Sequence, residues 1–446
     1  MFNRQPESKV LKLRKPFYGW IIVGVTFLIG STGAGVFQNI LSIFLKPMVA
    51  EFGWSRAMVA GSIAFGSLCG GFVSPFVGPI LDRHGPRMVS FLGILVLSAG
   101  LVGMSFIEQA WQIYIFFGVG RMIAVGVLTL IVSVTVSNWF IRRRGRAMGI
   151  AWLGPRIGST LLPLFVQHVI RTQGWRTAWS ALGMLVFMVS ALPALIFLRR
   201  RPEDIGLWPD GKSLTPDGDQ EKVQAHGETN APSKSILDPE WNRAQALRTR
   251  SFWVLVLLNC ILLFCGGGVN FHVYPFLTDM GVSGETAVLA VSIMAICGAL
   301  GGLVWGFLTE KSSSKLLLSI EVGLGGLIFL TFFWVIKAGM IWTVGIGFIF
   351  IFVGIYGFSF GGIYPLLSII WAEFFGRASL GSIQGVVNPF RLTANATGPL
   401  FGAVCFDFFG SYTFPFLTFS ILYLLSVVIG LSLKTPRYLP LHGRKT

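Results

Sequence analysis

Residues 78–87 read Gly78-Pro-Ile-Leu-Asp82-Arg83-His84-Gly85-Pro86-Arg87, and residues 306–311 read Gly306-Phe-Leu-Thr-Glu310-Lys311. Each stretch follows the second long apolar run of a set of six, and the two lie 228 residues apart. Two further echoes come at nearly the same offset. Arg146-Ala147-Met-Gly149 opens the fifth run, and Arg377-Ala378-Ser-Leu-Gly381 opens the eleventh. Gly174-Trp175-Arg176 precedes the sixth, and Gly410-Ser-Tyr412 precedes the twelfth. Three matches in one order at nearly one spacing mark a duplicated six-run unit in parallel orientation.

The composition agrees. Of 446 residues, 53% are hydrophobic and only 12% charged, against about 25% charged in soluble domains. The apolar runs span about 18–45, 57–80, 88–107, 111–138, 147–170, 176–198, 252–277, 285–308, 316–336, 341–371, 379–405 and 412–433. Each is long enough to cross a hydrocarbon core of about 30 Å as a helix. Only helices and closed barrels satisfy their backbones in lipid, and runs this long are helices. The expected fold is an all-α membrane protein of twelve transmembrane helices in two pseudo-symmetric halves.

The net charge is +16, which in a soluble chain would point to nucleic acid. Here the basic residues are segregated. With both termini inside, the inner segments hold 27 Lys and Arg and the outer ones five. That asymmetry sets the orientation by the positive-inside rule and excludes a nucleic-acid partner. The expected domains are an N-tail 1–17, a half 18–198, a cytoplasmic linker 199–250, a half 251–433 and a C-tail 434–446. The linker is polar and reads as disordered around Thr215–Ser235. The first run is too long for a cleaved signal core and reads as a retained helix. The five cysteines all fall in apolar runs without metal-site spacing. No phosphate loop, metal cluster or nucleophile triad appears, so neither an enzyme nor a cofactor is expected.

Charges inside the runs cost at least about 2.5–3.5 kcal/mol each and need a reason. Arg121, Arg156 and Arg391 lie about 13–18 Å into runs 4, 5 and 11. Runs 5 and 11 are equivalent in the two halves, and each arginine follows a proline, as Pro155-Arg156 and Pro389-Phe390-Arg391. Asp82, Glu310, Glu373 and Asp407 lie at run ends or in loops, which on this reading leaves no carboxylate at mid-membrane. Buried guanidiniums without internal counter-anions imply an external anion, most simply a carboxylate held bidentately. A second reading has Arg121 bonded to backbone carbonyls, and Arg156 and Arg391 capping carbonyls freed by the prolines. His272 in run 7 is either a packed histidine or a substrate- or proton-binding one.

At this point the chain resembles the major facilitator superfamily. The loop from Gly78 to Arg87 is similar to that superfamily's motif between helices 2 and 3. The resemblance implies a gate: Gly78 and Gly85 allow close approach, while Asp82, Arg83 and Arg87 latch the halves. The second copy is degraded, so the stronger latch is expected from the first half. Finer stretches resemble the bacterial monocarboxylate-transporter-like and oxalate/formate-antiporter-like branch. They include Phe17-Tyr18-Gly19-Trp20, Glu51-Phe52-Gly53-Trp54-Ser55-Arg56, Asn138-Trp139-Phe140 and Arg201-Pro202-Glu203-Asp204-Ile205-Gly206. The helices that line the cavity in that fold add Asn270, Tyr364 and Asn388 as candidate substrate ligands. Run 8 departs from the branch, since no charged residue lies between Glu285 and Glu310.

The expected function is transport of small organic anions, mono- or dicarboxylates, across the cytoplasmic membrane by alternating access. Protons or a counter-anion are possible coupling species, membrane lipid is the surrounding partner, and a monomer is expected. The alternatives are a proton-coupled drug or metabolite exporter of the same fold, and a transport-dead metabolite sensor signalling through 199–250.

Overall fold

The computed structural model describes residues 17–36, 38–54, 56–211, 241–337 and 346–436. Among these, helices account for nearly all regular structure and no strand occurs. Twelve long helices run in order. They are α1 (Gly19–Gly33, a 3-10 turn Ala34–Val36, then Gln38–Phe52), α2 (Arg56–His84), α3 (Pro86–Gly103) and α4 (Ala110–Ile123, a π turn Ala124–Leu128, then Thr129–Trp139). Then come α5 (Arg144–Gln173) and α6 (Trp175–Val186, a π turn Phe187–Ala191, then Leu192–Phe197). The second half holds α7 (Arg250–Asp279), α8 (Gly284–Leu308), α9 (Ser314–Lys337), α10 (Ile346–Gly361 and Ile363–Phe375), α11 (Leu380–Phe409) and α12 (Thr413–Ser432).

Eleven of the twelve are long and apolar enough to cross a membrane. The exception is α11, whose apolarity is diluted by Gln384, Asn388, Arg391, Thr393, Asn395 and Thr397. It has the 30 residues of its counterpart α5, and of its polar residues Asn388 bonds to the other half while Asn395 faces the Leu263 carbonyl of α7 in its own. Twelve membrane helices were expected, and a long helix stands at each of the twelve runs, α11 being the least apolar.

Within the halves, α1 packs on α5 and α7 on α11. Between them, α2 packs on α11 and α5 on α8. Glycines allow this. A Cβ on Gly78 of α2 would collide with the Gly381 carbonyl of α11, and one on Gly145 of α5 with the Gly306 carbonyl of α8. These two contacts are equivalent in the duplication and lie at one end of the bundle, the lower face, where α1 begins and α12 ends.

Part of the linker is built against that face. Pro202–Ile205 and Pro209–Gly211 form short 3-10 turns, and Arg243–Leu247 a helical turn. Asp210 accepts hydrogen bonds from the backbone N–H groups of Ile141, Arg142 and Arg143 at 2.7–3.1 Å, which caps the start of α5. The stretch Thr215–Ser235, expected to be disordered, lies outside the described residues.

Candidate functional site

Arg156 lies 12 residues into α5 and Arg391 11 into α11, about 16–18 Å above the lower face for both. Arg156 reaches across the interface. Its Nη2 faces the Gly361 carbonyl at the break in α10, at 3.5 Å, and its Nη1 lies against Gly298 of α8. Arg391 donates from Nη1 to Asn388 Oδ1 at 3.4 Å, while its buried Nε has no protein acceptor. Asn388 in turn donates to Ser74 Oγ of α2 at 2.9 Å and faces the Val125 carbonyl at 3.4 Å.

The π turn of α4 explains that last contact. An i→i+5 turn leaves carbonyls unspent in the helix ladder. Val125 and Gly126 offer theirs outward, and Ser74 Oγ takes the Gly126 carbonyl at 2.9 Å. Arg121, just before the turn, donates from Nη1 to the Val36 carbonyl at 3.1 Å and from Nε to Ser67 Oγ at 3.2 Å. Val36 closes the 3-10 turn of α1, so Arg121 satisfies a carbonyl at a helix break. That favours the structural reading of Arg121, with all of these bonds inside its own half.

Tyr364 ties the three together. Its phenol lies within electrostatic reach of Arg121, Arg156 and Arg391 alike. Its ring stacks on Trp152 of α5 with centroids 5.3 Å apart, a contact between the halves. Pro365 follows it and Gly361-Gly362 interrupt α10 just before it. The groups that line this junction are therefore two guanidiniums from opposite halves, a third alongside, and one phenol.

One carboxylate inside a run was left out of the sequence reading, which placed the acidic residues at run ends or in loops. Glu321 sits in α9, about two turns from its start, and is fully buried. Neither carboxylate oxygen has a hydrogen-bond partner. The Gly362 N–H faces it without closing a hydrogen bond, and Arg156 lies within electrostatic reach beyond that peptide. The sequence signal was present, since Glu321 falls inside the run 316–336.

Two candidates lie elsewhere. His272 is buried, with Nε2 2.8 Å from the Pro399 carbonyl and Nδ1 3.3 Å from the Tyr412 hydroxyl. It is about 10 Å from the upper end of α7, where it packs α7 to α11. Asn270 donates to the Gly266 carbonyl of its own helix at 2.6 Å. Neither joins the arginine junction.

At the lower face, Asp82 accepts from Gly381 N at 2.9 Å, Ser382 N at 2.7 Å and Ser382 Oγ at 2.6 Å. It thus caps α11 across the interface, where the helix N-terminus favours a negative charge. Arg83 and Arg87 do not share this role. Arg83 is exposed, and Arg87 donates to the Leu195 carbonyl of its own half at 2.6 Å. Gly85, at φ +79°, turns the chain into α3 against Arg200, just beyond α6 of its own half. The degraded second copy works after all: Glu310 pairs with Arg146 of α5 at 2.7 Å. Arg377 adds a link that sequence reasoning missed, pairing with Glu203 of the linker and donating to the Asn138 carbonyl at 2.9 Å.

Comparison with known proteins agrees with this architecture. The sequence profile of the Major Facilitator Superfamily matches residues 27–393. The uncharacterized MFS-type transporter YcxA of Bacillus subtilis (strain 168) is 26% identical over 415 residues, 89% of this chain and 90% of its own. Human monocarboxylate transporter 12 is 26% identical over 93% of this chain and 80% of its own. The oxalate:formate antiporter of Oxalobacter formigenes is 22% identical over 86% and 83%. Among solved structures, the transporter FucP in the outward conformation superposes with a TM-score of 0.69 at 12% identity, covering 94% of this chain and all of that one. The human organic anion transporter MFSD10 (TETRAN) does so with 0.67 at 16%, covering the same shares.

Proposed function

The chain belongs to the Major Facilitator Superfamily, and we propose that it carries small organic anions, mono- or dicarboxylates, across the cytoplasmic membrane by alternating access. The observation that carries this reading is that Arg156 and Arg391 lie at nearly equal depth on equivalent helices of the two halves, both within electrostatic reach of Tyr364. Arg391 keeps a buried N–H without an acceptor, and a guanidinium in that condition attracts a carboxylate oxygen. Arg156 and Arg391 clamp the anion, Tyr364 donates to it, Arg121 adds positive field, and Asn388 orients Arg391. The lower face is the cytoplasmic one, because the basic residues cluster there. With that face shut by Asp82 and Glu310, the anion enters from the other side. The similarity to a monocarboxylate transporter and an oxalate:formate antiporter supports the same substrate class.

The exporter alternative gains a buried carboxylate in Glu321. Three guanidiniums against one carboxyl still leave the junction positive, which disfavours a cationic cargo.

The test is counterflow in proteoliposomes with formate, lactate, oxalate, succinate and benzoate. The wild type exchanges at least one of them, and Arg156→Ala and Arg391→Ala each cut that exchange by about 100-fold or more without loss of folded protein. Full exchange by either variant contradicts the assignment, and binding without counterflow favours the sensor.

A further inference from the structure

We propose that Glu321 is the group that gains and loses a proton as the anion site loads and empties. The Gly361–Gly362 peptide at the break in α10 links it to Arg156. The inference rests on the carboxylate reading above and goes beyond it, to the coupling ion.

Arg156 Nη2 faces the carbonyl of Gly361, and the Glu321 carboxyl lies on the side of the Gly362 N–H, which itself donates to the Ser359 carbonyl at 3.3 Å. The Gly361 carbonyl and the Gly362 N–H are the two ends of one peptide unit, and a trans peptide points them in opposite directions. The guanidinium therefore stands on the substrate side of α10 and the carboxyl behind it, with a peptide dipole between them. Glu321 is fully buried and neither oxygen is hydrogen-bonded. The charged or titratable groups around it are few. Arg156 faces it from α5, and Tyr423 lies within electrostatic reach on α12. The Tyr423 hydroxyl is 3.4 Å from that of Tyr356 on α10, and Ser359 of α10 is spent on the Glu321 backbone carbonyl.

A buried carboxylate in these surroundings has two sources of compensation, the N–H of Gly362 and, of full charges, Arg156 alone among the described residues. In the empty carrier it balances that guanidinium across the peptide. When a substrate carboxylate docks on Arg156, the guanidinium is neutralised from the other side and Glu321 loses its counter-charge. It then binds one proton from the compartment to which the site is open, and the docked carboxylate with the proton on Glu321 adds no net charge. On the opposite side the O–H bond breaks, the proton leaves with the anion, and Glu321 again balances Arg156. A monocarboxylate so moves with one proton and without net charge. His272, with both ring nitrogens engaged by Pro399 and Tyr412, takes no part.

The experiment compares wild type and Glu321→Gln in proteoliposomes with the same five carboxylates. With an alkaline lumen, the wild type accumulates its substrate about tenfold per unit of pH gradient. Glu321→Gln keeps counterflow, which needs no net proton movement, and loses the gradient-driven accumulation. Accumulation by the variant equal to wild type overturns the inference, and so does wild-type uptake indifferent to the gradient. Should the variant not fold, the purified wild type decides in weakly buffered detergent with a pH indicator. Uptake of about one proton per monocarboxylate bound supports the inference, and no uptake overturns it. Absence of counterflow with all five carboxylates removes the substrate reading, and this inference falls with it. Counterflow with no proton signature removes this inference alone.

Discussion

Asp82 at the lower end of α2 and Glu310 at the lower end of α8 occupy equivalent places in the duplicated unit, and each reaches the start of a helix in the opposite half. They do so with different chemistry. Asp82 accepts three directional hydrogen bonds at the N-terminus of α11, from Gly381 and Ser382. Glu310 makes one ion pair with Arg146 at the start of α5; the arginine side chain is 48% exposed and the glutamate 13%, with its Oε1 buried and without a partner. Hydrogen bonds to a charged acceptor contribute about 1.5–3 kcal/mol each, whereas an exposed ion pair is worth about 0–1 kcal/mol. A duplicated scaffold thus keeps the geometry of closure in both halves while concentrating its energy in one. The same asymmetry holds at mid-membrane. The first half supplies two arginines, and the second one arginine and the only carboxyl that the described residues place fully buried there.

Breaking the stronger latch gives the larger effect. Asp82→Asn is expected to shift the equilibrium away from the shut lower face by about 10- to 100-fold. Spin-label distances between the lower ends of α2 and α11 read this as a new, longer population. Glu310→Gln is expected to move the same equilibrium less than about fivefold, with the difference vanishing at high salt. Equal effects of the two variants erase the asymmetry. A smaller effect sharpens the contrast between lower and upper faces. At the upper end of α1, beyond its span Gly19–Val36, Glu51 accepts from Arg176 and from Trp175, each at 2.7 Å. The Arg176 hydrogen bond, aided by that of Trp175, holds the Glu51 carboxyl below the usual carboxylate range. A depressed carboxyl stabilises above its unfolded value and loses that contribution as pH falls through its folded one. Wild type and Glu51→Gln are therefore expected to differ in melting temperature by about one or two degrees at pH 7 and to converge as pH falls through the lowered value of the Glu51 carboxyl. A difference that survives acidification assigns the tie to packing instead.

Fold and site were legible to different depths. The duplication showed in Gly78–Arg87 and its echo because helix ends recur where loops must turn. Arg156 and Arg391 stood out because charge is costly in lipid, and Glu321 obeyed the same rule. His272 carried no signal of its fate, since its ring is engaged by Pro399 and Tyr412, 127 and 140 residues away. The same distance problem hid the split between Asp82, which crosses the interface, and Arg87, which stays in its half. Glu203 and Asp210 looked like ordinary residues of a polar linker, and only their partners Arg377 and the start of α5 give them a role.

The most direct measurement is thermal stabilisation of the purified protein by carboxylates set against their neutral amides, lactate against lactamide and benzoate against benzamide. Guanidiniums that require a negative partner predict a shift with at least one carboxylate, equivalent to about 2.7 kcal/mol at a hundredfold excess over Kd, and none with its amide. Equal stabilisation by acid and amide, or stabilisation that survives Arg391→Ala, contradicts an anion held between the halves.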